Sequence, residues 1–416
     1  MMRTRSGSTP LPGVALAMAV TMVSCTGESS SLADGTAAYT ILTATEDLRI
    51  GSVDTPETDL TRFRALAIGP DGRIYSMHER EHRVRIWSAD GSPIGSFGGE
   101  GEGPGEFLEP FMLERFGRRL VVFDWRTSRA SYFDLDGNLI DEATYRPVSP
   151  RDRRWATRRA DGVFPDGTFF GSWRPSSLPG AEEISASLVS RLGADGSILD
   201  TLLVRPLEYS RLILDYGIGE PVFTGQLFGA DPIYDIAARR SEIVLVNREI
   251  GPDPPRFRVT KIAVPHDTLW SREYGFEPVA IDPAAIDTFA RQMADIAVRN
   301  GLATSARQVE EEVRTNLFVP PYLPPVDRVV TGEDGTIFLS LADRDSLTTR
   351  WLLVRPDGDP HGVVELPDRF FIRTGGVLAA WGMAFDELDV PYIVRFELRP
   401  EGSSDDADGV TATGGG

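Results

Sequence analysis

Short runs of alternating apolar and polar residues recur along most of this 416-residue chain, and Asp-Gly pairs separate many of them. The stretch from Arg62 to Phe107 holds four such runs. Alternation of this kind is typical of β-strands with one buried face, and an Asp-Gly pair supplies the positive φ that a tight hairpin needs. Pro70-Asp71-Gly72 and Asp90-Gly91 are turns of this type. The pattern therefore predicts an up-and-down antiparallel sheet of four strands.

Similar patterns follow at irregular spacing, within residues 120–137, 166–199, 241–264, 334–358 and 370–398. A run at 39–50 alternates in the same way but has no partner nearby in sequence, and the last repeat lacks one strand. Four-stranded sheets arranged radially form a β-propeller, and a strand from the other terminus can close the ring and remove an open edge. We therefore predict an all-β fold, a six-bladed β-propeller that spans residues 39–400 and is closed by an N-terminal strand.

Two stretches between the fourth and fifth repeats have helical periodicity instead. Asp282 is a suitable N-cap for the first, and Asn300-Gly301 is a suitable end. A second helix is predicted from Ser305, with Gln308 at capping-box spacing. Together they predict a helical hairpin inserted within residues 282–318.

The first 24 residues resemble a bacterial lipoprotein signal, with a short basic start, an apolar segment and small residues before Cys25. Cys25 is the only cysteine, so an intrachain disulfide is impossible and lipid attachment is its predicted use. An ordinary secretory signal is the alternative. We expect a flexible tether at 25–38, a disordered acidic and Gly-rich tail at 401–416, and a lipid-anchored protein on the periplasmic or outer-surface side of a bacterial envelope.

The formal net charge is −19, and Lys261 is the only lysine among the cations. This balance argues against nucleic acid as a partner, because phosphate binding needs a basic face. It also argues against direct attachment to anionic lipid headgroups, which leaves the predicted lipid anchor as the only membrane contact.

The first repeat carries a family likeness. The runs 70–75 and 82–87, followed by Asp90-Gly91, resemble an NHL repeat, and with the lipoprotein signal the mature chain is similar to bacterial six-bladed β-propellers of the NHL-repeat and TolB-like type. Members of that group mostly lack an assigned activity. The resemblance therefore implies an exported propeller that acts as a binding platform.

Three motifs could suggest other chemistry. The Gly-rich run 98–105 lacks the Lys-Ser/Thr ending of a P-loop and contains acids that would repel phosphate, so we interpret it as a connector between blades. His78 and His82 supply too few ligands for a zinc site. The Asp-Gly pairs lack the oxygen spacing of an EF-hand loop. No cofactor is predicted, although calcium belongs to the alternative function below.

The best predicted site is a face rather than a motif. In an up-and-down blade, the loops between the second and third strands emerge on the same side as the connectors between blades. Here these loops are rich in Arg and Trp, which are enriched in binding hot spots, and the helical hairpin is expected beside them. The predicted ligand or partner face consists of His78, Arg80, Asp124, Trp125, Arg126, Trp173, Arg174, Asn247, Arg248, Asp343 and Arg344.

These observations favour a monomeric, non-catalytic binding platform for a protein, peptide or glycan. The alternative is a calcium-dependent hydrolase or lactonase that holds the ion with Asp, Glu and Asn side chains around a central channel. A purely structural role in an envelope complex is a third possibility. A serine nucleophile also stays open, because catalytic triads assemble from distant positions.

Overall fold

The structure is a computed structural model, and it describes residues 39–52, 58–60, 63–149, 152–156, 159–176, 180, 183–207, 211–214, 222–248, 255–343 and 348–402. Cys25 and Arg344 of the predicted sites lie outside these ranges, as do the predicted tether and the predicted tail from residue 403 onwards. None of the helices in these ranges is long and apolar enough to cross a membrane.

Most strands belong to antiparallel groups of four in chain order. After β1 (Ile41–Ile50), the first two groups are β2 (Phe63–Ile68), β3 (Ile74–His78), β4 (Arg83–Trp87) and β5 (Pro93–Gly98), then β6 (Pro110–Phe116), β7 (Arg119–Asp124), β8 (Arg129–Phe133) and β9 (Leu139–Thr144). The third group is β10 (Gly162–Val163), β11 (Phe169–Trp173), β12 (Ala186–Leu192) and β13 (Ile198–Pro206), and a separate hairpin follows with β14 (Arg211–Leu214) and β15 (Val222–Gly225).

The second half of the chain contains the remaining strands and both helices. The fourth group is β16 (Ile233–Ala237), β17 (Glu242–Asn247), β18 (Arg256–Ala263) and β19 (Asp267–Gly275). The helices are α1 (Pro283–Arg299) and α2 (Ala306–Asn316). The last strands are β20 (Val326–Thr331), β21 (Ile337–Leu341), β22 (Thr348–Val354), β23 (Pro360–Pro367), β24 (Phe370–Gly376), β25 (Ala379–Phe385) and β26 (Pro391–Pro400).

Strand β1 joins the two ends of the chain. It pairs antiparallel with β26, from Leu42 opposite Pro400 to Ile50 opposite Ile393, and briefly in parallel with β23 near Ile41. It thereby links β20–β23 and β24–β26 into one eight-stranded sheet. The prediction that the N-terminal strand completes the last repeat is confirmed.

The groups of strands follow one another around a ring in a propeller-like arrangement. Strands such as β7 and β21 are buried on both faces because neighbouring groups pack against them, which explains their nearly continuous apolar sequence. The interface clusters run around the ring and join Phe97 with Leu120, Phe123 with Val163, Phe170 with Ile243, Val244 with Val326, Phe338 with Phe370, and Trp381 with Trp87. The first strand of each group lies nearest the centre, where β2 adjoins β6 and β24, and β20 adjoins β16 and β24.

Ion pairs cross the centre of the ring at one end, which we call the ion-pair end. Arg239, in the loop after β16, donates to Glu114 of β6 at 2.8 Å and to the Thr331 carbonyl at 2.7 Å. Arg115 of β6 pairs with Glu333, in the loop after β20. Charged side chains from three parts of the ring therefore meet at this end of the central channel.

The helical prediction is confirmed, and the structure adds a partner for it. The Asp282 side chain accepts from the Ala284 amide at 2.9 Å, and the Ser305 hydroxyl accepts from the Gln308 amide at 3.3 Å. The helices do not pack alone, because they share a cluster with residues of β14 and the turn after β15. That cluster includes Ala290, Ala294, Ala297, Val309, Val313, Leu212, Leu214 and Phe228. The hairpin β14–β15 was not predicted.

Candidate functional site

The end of the ring opposite the ion pairs carries the candidate site, and we call it the mouth. The first residue of β2 pairs with the last of β3, Val326 of β20 pairs with Leu341, and Phe370 of β24 pairs with Ala384. The starts of the first strands therefore lie at the same end of the ring as the loops between second and third strands, where the sequence predicts the ligand face.

Four of these first strands contain a β-bulge close to the mouth. The register shifts fall at Arg64 in β2, Phe111 in β6, Asp327 in β20 and Arg373 in β24. A bulge inserts an unpaired residue and changes the direction of its side chain, and bulges are common next to functional sites. The repeated position identifies these four residues as components of the mouth.

Two cavities are formed by described residues at the mouth, and the first lies between β16, β20 and β24. Its volume is about 280 Å³, and its lining includes Tyr234, Arg328, Trp351, Phe371 and Arg373. The Arg328 guanidinium lies 5.3 Å from the centre of the Trp351 ring and 5.4 Å from that of Phe371. Both distances are within the range of cation–π attraction, so the aromatic walls hold Arg328 in position.

The second cavity adjoins the first, since Asp327 and Arg328 line both. It has a volume of about 330 Å³ and extends towards Asp343 and Arg248 of the predicted face, and to Leu323 beyond α2. The two cavities are each near the lower limit of typical small-ligand pockets. They therefore suit a small ligand, or one unit of a larger one, rather than a broad protein surface.

A further cation and two rings lie on the β2 side of the mouth. Arg64 lies 4.4 Å from the centre of the Phe111 ring, which stacks on Trp125 at 3.8 Å, and it pairs with Glu79 at 3.1 Å. The Trp125 indole donates to the Ala160 carbonyl at 3.0 Å, which fixes the outer ring of this stack.

The predicted residue His78 is completely buried and belongs to a hydrogen-bonded chain. Ser76 Oγ lies 2.9 Å from His78 Nε2, and Glu81 lies 3.6 Å from His78 Nδ1. This order of side chains resembles a serine hydrolase triad. However, Ser76 is fully buried and accepts a hydrogen bond from the Trp87 indole at 2.8 Å, so a substrate cannot reach its hydroxyl. These side chains instead belong to the packed interior of the first group of strands.

Three other predicted residues, Asp124, Trp173 and Arg248, are also buried, and this corrects the expectation that they form an accessible face. Asp124 accepts from the amides of Leu108 and Glu109 and from Thr127. Arg248 donates to three backbone carbonyls, those of Gly229, Asp231 and Val326. Trp173 packs edge to face with Trp155. Polar groups in connectors need such partners because burial removes water from backbone amides and carbonyls.

We expect Asp124→Ala to lower the free energy of unfolding by about 3 kcal/mol, because it leaves buried amides without their charged acceptor. Urea denaturation measures this loss. The matched control is Arg126→Ala at an exposed neighbouring position, with an expected change within about 0.5 kcal/mol. Equal effects of the two substitutions would contradict the structural role of Asp124.

The remaining predicted residues are more accessible. Arg80, Arg126 and Arg174 are exposed, while Asn247 and Asp343 are half-buried. Sequence reasoning missed Arg64, Phe111, Arg328, Phe371 and Arg373. A signal was present, because an arginine interrupts an apolar run in both Val-Asp-Arg-Val-Val at 326–330 and Phe-Phe-Ile-Arg at 370–373. Such an interruption in an inner strand points to the channel.

The Gly-rich run does not form a phosphate cradle. It connects β5 to β6, as predicted. The Gly103 amide is not free to bind phosphate, because it already donates to the Glu106 carboxylate at 2.8 Å. Arg129 donates to the Glu102, Gly103 and Glu106 carbonyls. In the parts of the chain that the structure describes, no three His, Cys, Asp or Glu side chains come together in a way that could hold a metal ion.

No family model and no curated protein matches the chain. Among solved structures, a member of the DUF4221 family from Bacteroides vulgatus is 12% identical with a TM-score of 0.46, covering 86% of this chain and 99% of that one. Luciferin-regenerating enzyme is 10% identical with a TM-score of 0.37, covering 86% and 96%. The calcium-binding protein regucalcin from Agrobacterium tumefaciens is 11% identical with a TM-score of 0.35, covering 86% and 95%. With similarity this low, function has to be argued from the residues of the chain itself.

Proposed function

We propose that this protein is a non-catalytic binding platform whose ligand enters the mouth of the propeller. The observation that carries the proposal is the pair of adjoining cavities around Asp327 and Arg328. The ion pairs of Glu114 and Glu333 fill the other end, so the mouth is the accessible end of the channel. The ligand is a peptide or a glycan, because the cavities are too small to seat a folded protein surface.

The proposal includes the architecture and location inferred from sequence. We count the eight-stranded sheet as two blades, which makes six with β1 closing the last, and we propose that they are of NHL-repeat type. Export, acylation at Cys25 and an envelope location follow from the N-terminal signal. A monomer is expected, since no symmetric interface is needed to complete the mouth.

The calcium-dependent hydrolase is the weaker alternative. Calcium is bound by six to eight oxygen ligands, mostly from carboxylates and carbonyls. The mouth instead carries Arg64, Arg328 and Arg373, whose charges repel a cation. Calcium added to the purified protein is therefore expected to leave its melting temperature unchanged, and a stoichiometric calcium ion coupled to hydrolysis would favour the alternative.

Peptide and glycan arrays probed with the full chain test the proposal. The test variant is Arg328→Ala with Phe371→Ala, which removes a cation and an aromatic wall from the first cavity. The matched control is Arg118→Ala with Leu378→Ala, both exposed in loops at the ion-pair end. We expect the mouth variant to lose at least roughly tenfold in affinity for any array ligand, which is a loss of about 1.4 kcal/mol, and the control to bind like the parent.

Two results would overturn the proposal. One is a ligand that binds the mouth variant as tightly as the parent. The other is an equal loss in the control variant, which would place binding elsewhere or reflect general destabilisation. Melting curves of all three proteins show whether an equal loss in the control comes from destabilisation or from binding at another place.

A further inference from the structure

One cation of the first cavity lacks an acceptor in the described residues. Arg373, which lines this cavity, has no hydrogen bond or ion pair with any residue in the described ranges, and its side chain is exposed. Arg328 lines the same cavity, and its Nε lies 3.8 Å from the Asp327 carboxylate, beyond hydrogen-bond distance. Both guanidinium groups can therefore donate to a bound group that supplies acceptors.

The charges at the mouth do not balance. Arg64 pairs with Glu79 at 3.1 Å, and Arg328 lies 3.8 Å from Asp327, whereas Arg373 has no acid beside it among the described residues. The guanidinium charge of Arg373 is therefore left over, with two other cations, Arg64 and Arg328, nearby.

We propose that the mouth binds a carboxylate that accepts hydrogen bonds from Arg373 and Arg328. This inference rests on the proposed function and specifies its ligand. A carboxylate matches the planar fork of a guanidinium and carries a single negative charge, which equals the surplus at the site. Phe371, with 36% of its surface exposed, offers an apolar contact for the carbon skeleton next to the carboxylate.

Two sources supply such a group on a peptide or glycan: the C-terminus of a peptide and an acidic sugar. The probes are N-acetylalanine and glucuronate, each with a neutral partner, N-acetylalaninamide and glucose. Isothermal titration calorimetry with the full chain measures all four. We expect at least one carboxylate to bind roughly tenfold more tightly than its neutral partner, and the one that binds identifies the source.

Arg373→Gln is the decisive variant, and Arg118→Gln at the ion-pair end is its control. We expect Arg373→Gln to weaken binding of the carboxylate roughly tenfold, and the control substitution to leave the affinity unchanged. Since Arg373 stabilises no neighbour and repels two, Arg373→Gln is expected to melt no lower than the parent. That readout separates lost binding from lost folding.

The inference is overturned if neither carboxylate binds at millimolar concentration, if the neutral partners bind equally well, or if Arg373→Gln binds like the parent. The proposed function would survive each of these results, provided that an array ligand still depends on Arg328 and Phe371. Loss of that dependence would instead overturn the proposed function itself.

Discussion

Arg239→Leu is expected to lower the free energy of unfolding at pH 7 by about 3–5 kcal/mol, because it leaves Glu114 as an unpaired charge inside the channel. The Arg239 and Glu114 side chains are only 10% and 22% exposed, and their atoms are 2.8 Å apart. Arg239 also donates to the Thr331 carbonyl, so the substitution removes a hydrogen bond to the end of β20 as well. Urea denaturation gives the measurement.

The pH dependence of this loss has a definite sign. Burial already raises the pKa of Glu114, and the charge of Arg239 opposes that rise. Without Arg239 the pKa of Glu114 rises further, so the folded variant binds a proton that the unfolded chain releases. Stability of the variant therefore increases as the pH falls from 7 towards 5, until the unfolded chain is protonated too.

The matched control replaces both partners, Glu114→Leu with Arg239→Leu. Replacing a buried ion pair with apolar residues of similar size is often close to neutral, so the double variant is expected to recover most of the loss. Its pH dependence should be weaker but not absent, because burial raises the pKa of Asp235 and the charge of Arg239 opposes that rise too. A single variant as stable as the parent, or a loss that is equal at pH 7 and pH 5, would show that the pair contributes little.

The fold was largely predictable because its signals are local. Asp-Gly turns fix where strands end, as at Gly72 and Gly91, whose φ values are 82° and 87°. The helix caps at Asp282 and Ser305 are local as well. The partner of β1 was predicted by counting, since the last repeat lacked one strand. By contrast, the β14–β15 hairpin packs on helices about 80 residues later, and no local pattern indicates such a partner.

The site was predicted only in part, for a physical reason. Loops between second and third strands do surround the mouth, and Asp343 lines its second cavity. However, polar loop residues such as Asp124 already form hydrogen bonds with backbone groups of the connectors. The residues left for a ligand lie at or beside the bulges in β2, β20 and β24. A bulge depends on the register against the next strand, which alternation alone does not reveal.

The second large effect concerns closure of the ring by β1. Leu42 and Ile50 are each 3% exposed and lie near opposite ends of the strand, Leu42 in the cluster between β20–β23 and β24–β26, and Ile50 in the cluster that reaches β2. Each substitution by Ala is expected to cost about 2–5 kcal/mol of unfolding free energy. The sites share no contact, so the costs should add in the double variant.

The double loss of about 4–10 kcal/mol is comparable to the total stability of an ordinary domain, so we expect the Leu42→Ala, Ile50→Ala protein to be largely unfolded or aggregated at 37 °C. Ile41→Ala is the control, because Ile41 is 51% exposed on the other face of the same strand and should change stability by no more than about 0.5 kcal/mol. Both variants keep every backbone hydrogen bond of β1 to β26. If Leu42→Ala cost no more than Ile41→Ala in urea denaturation, backbone pairing would dominate the closure. A large difference means that the side chains that β1 inserts between its neighbours hold the ring closed.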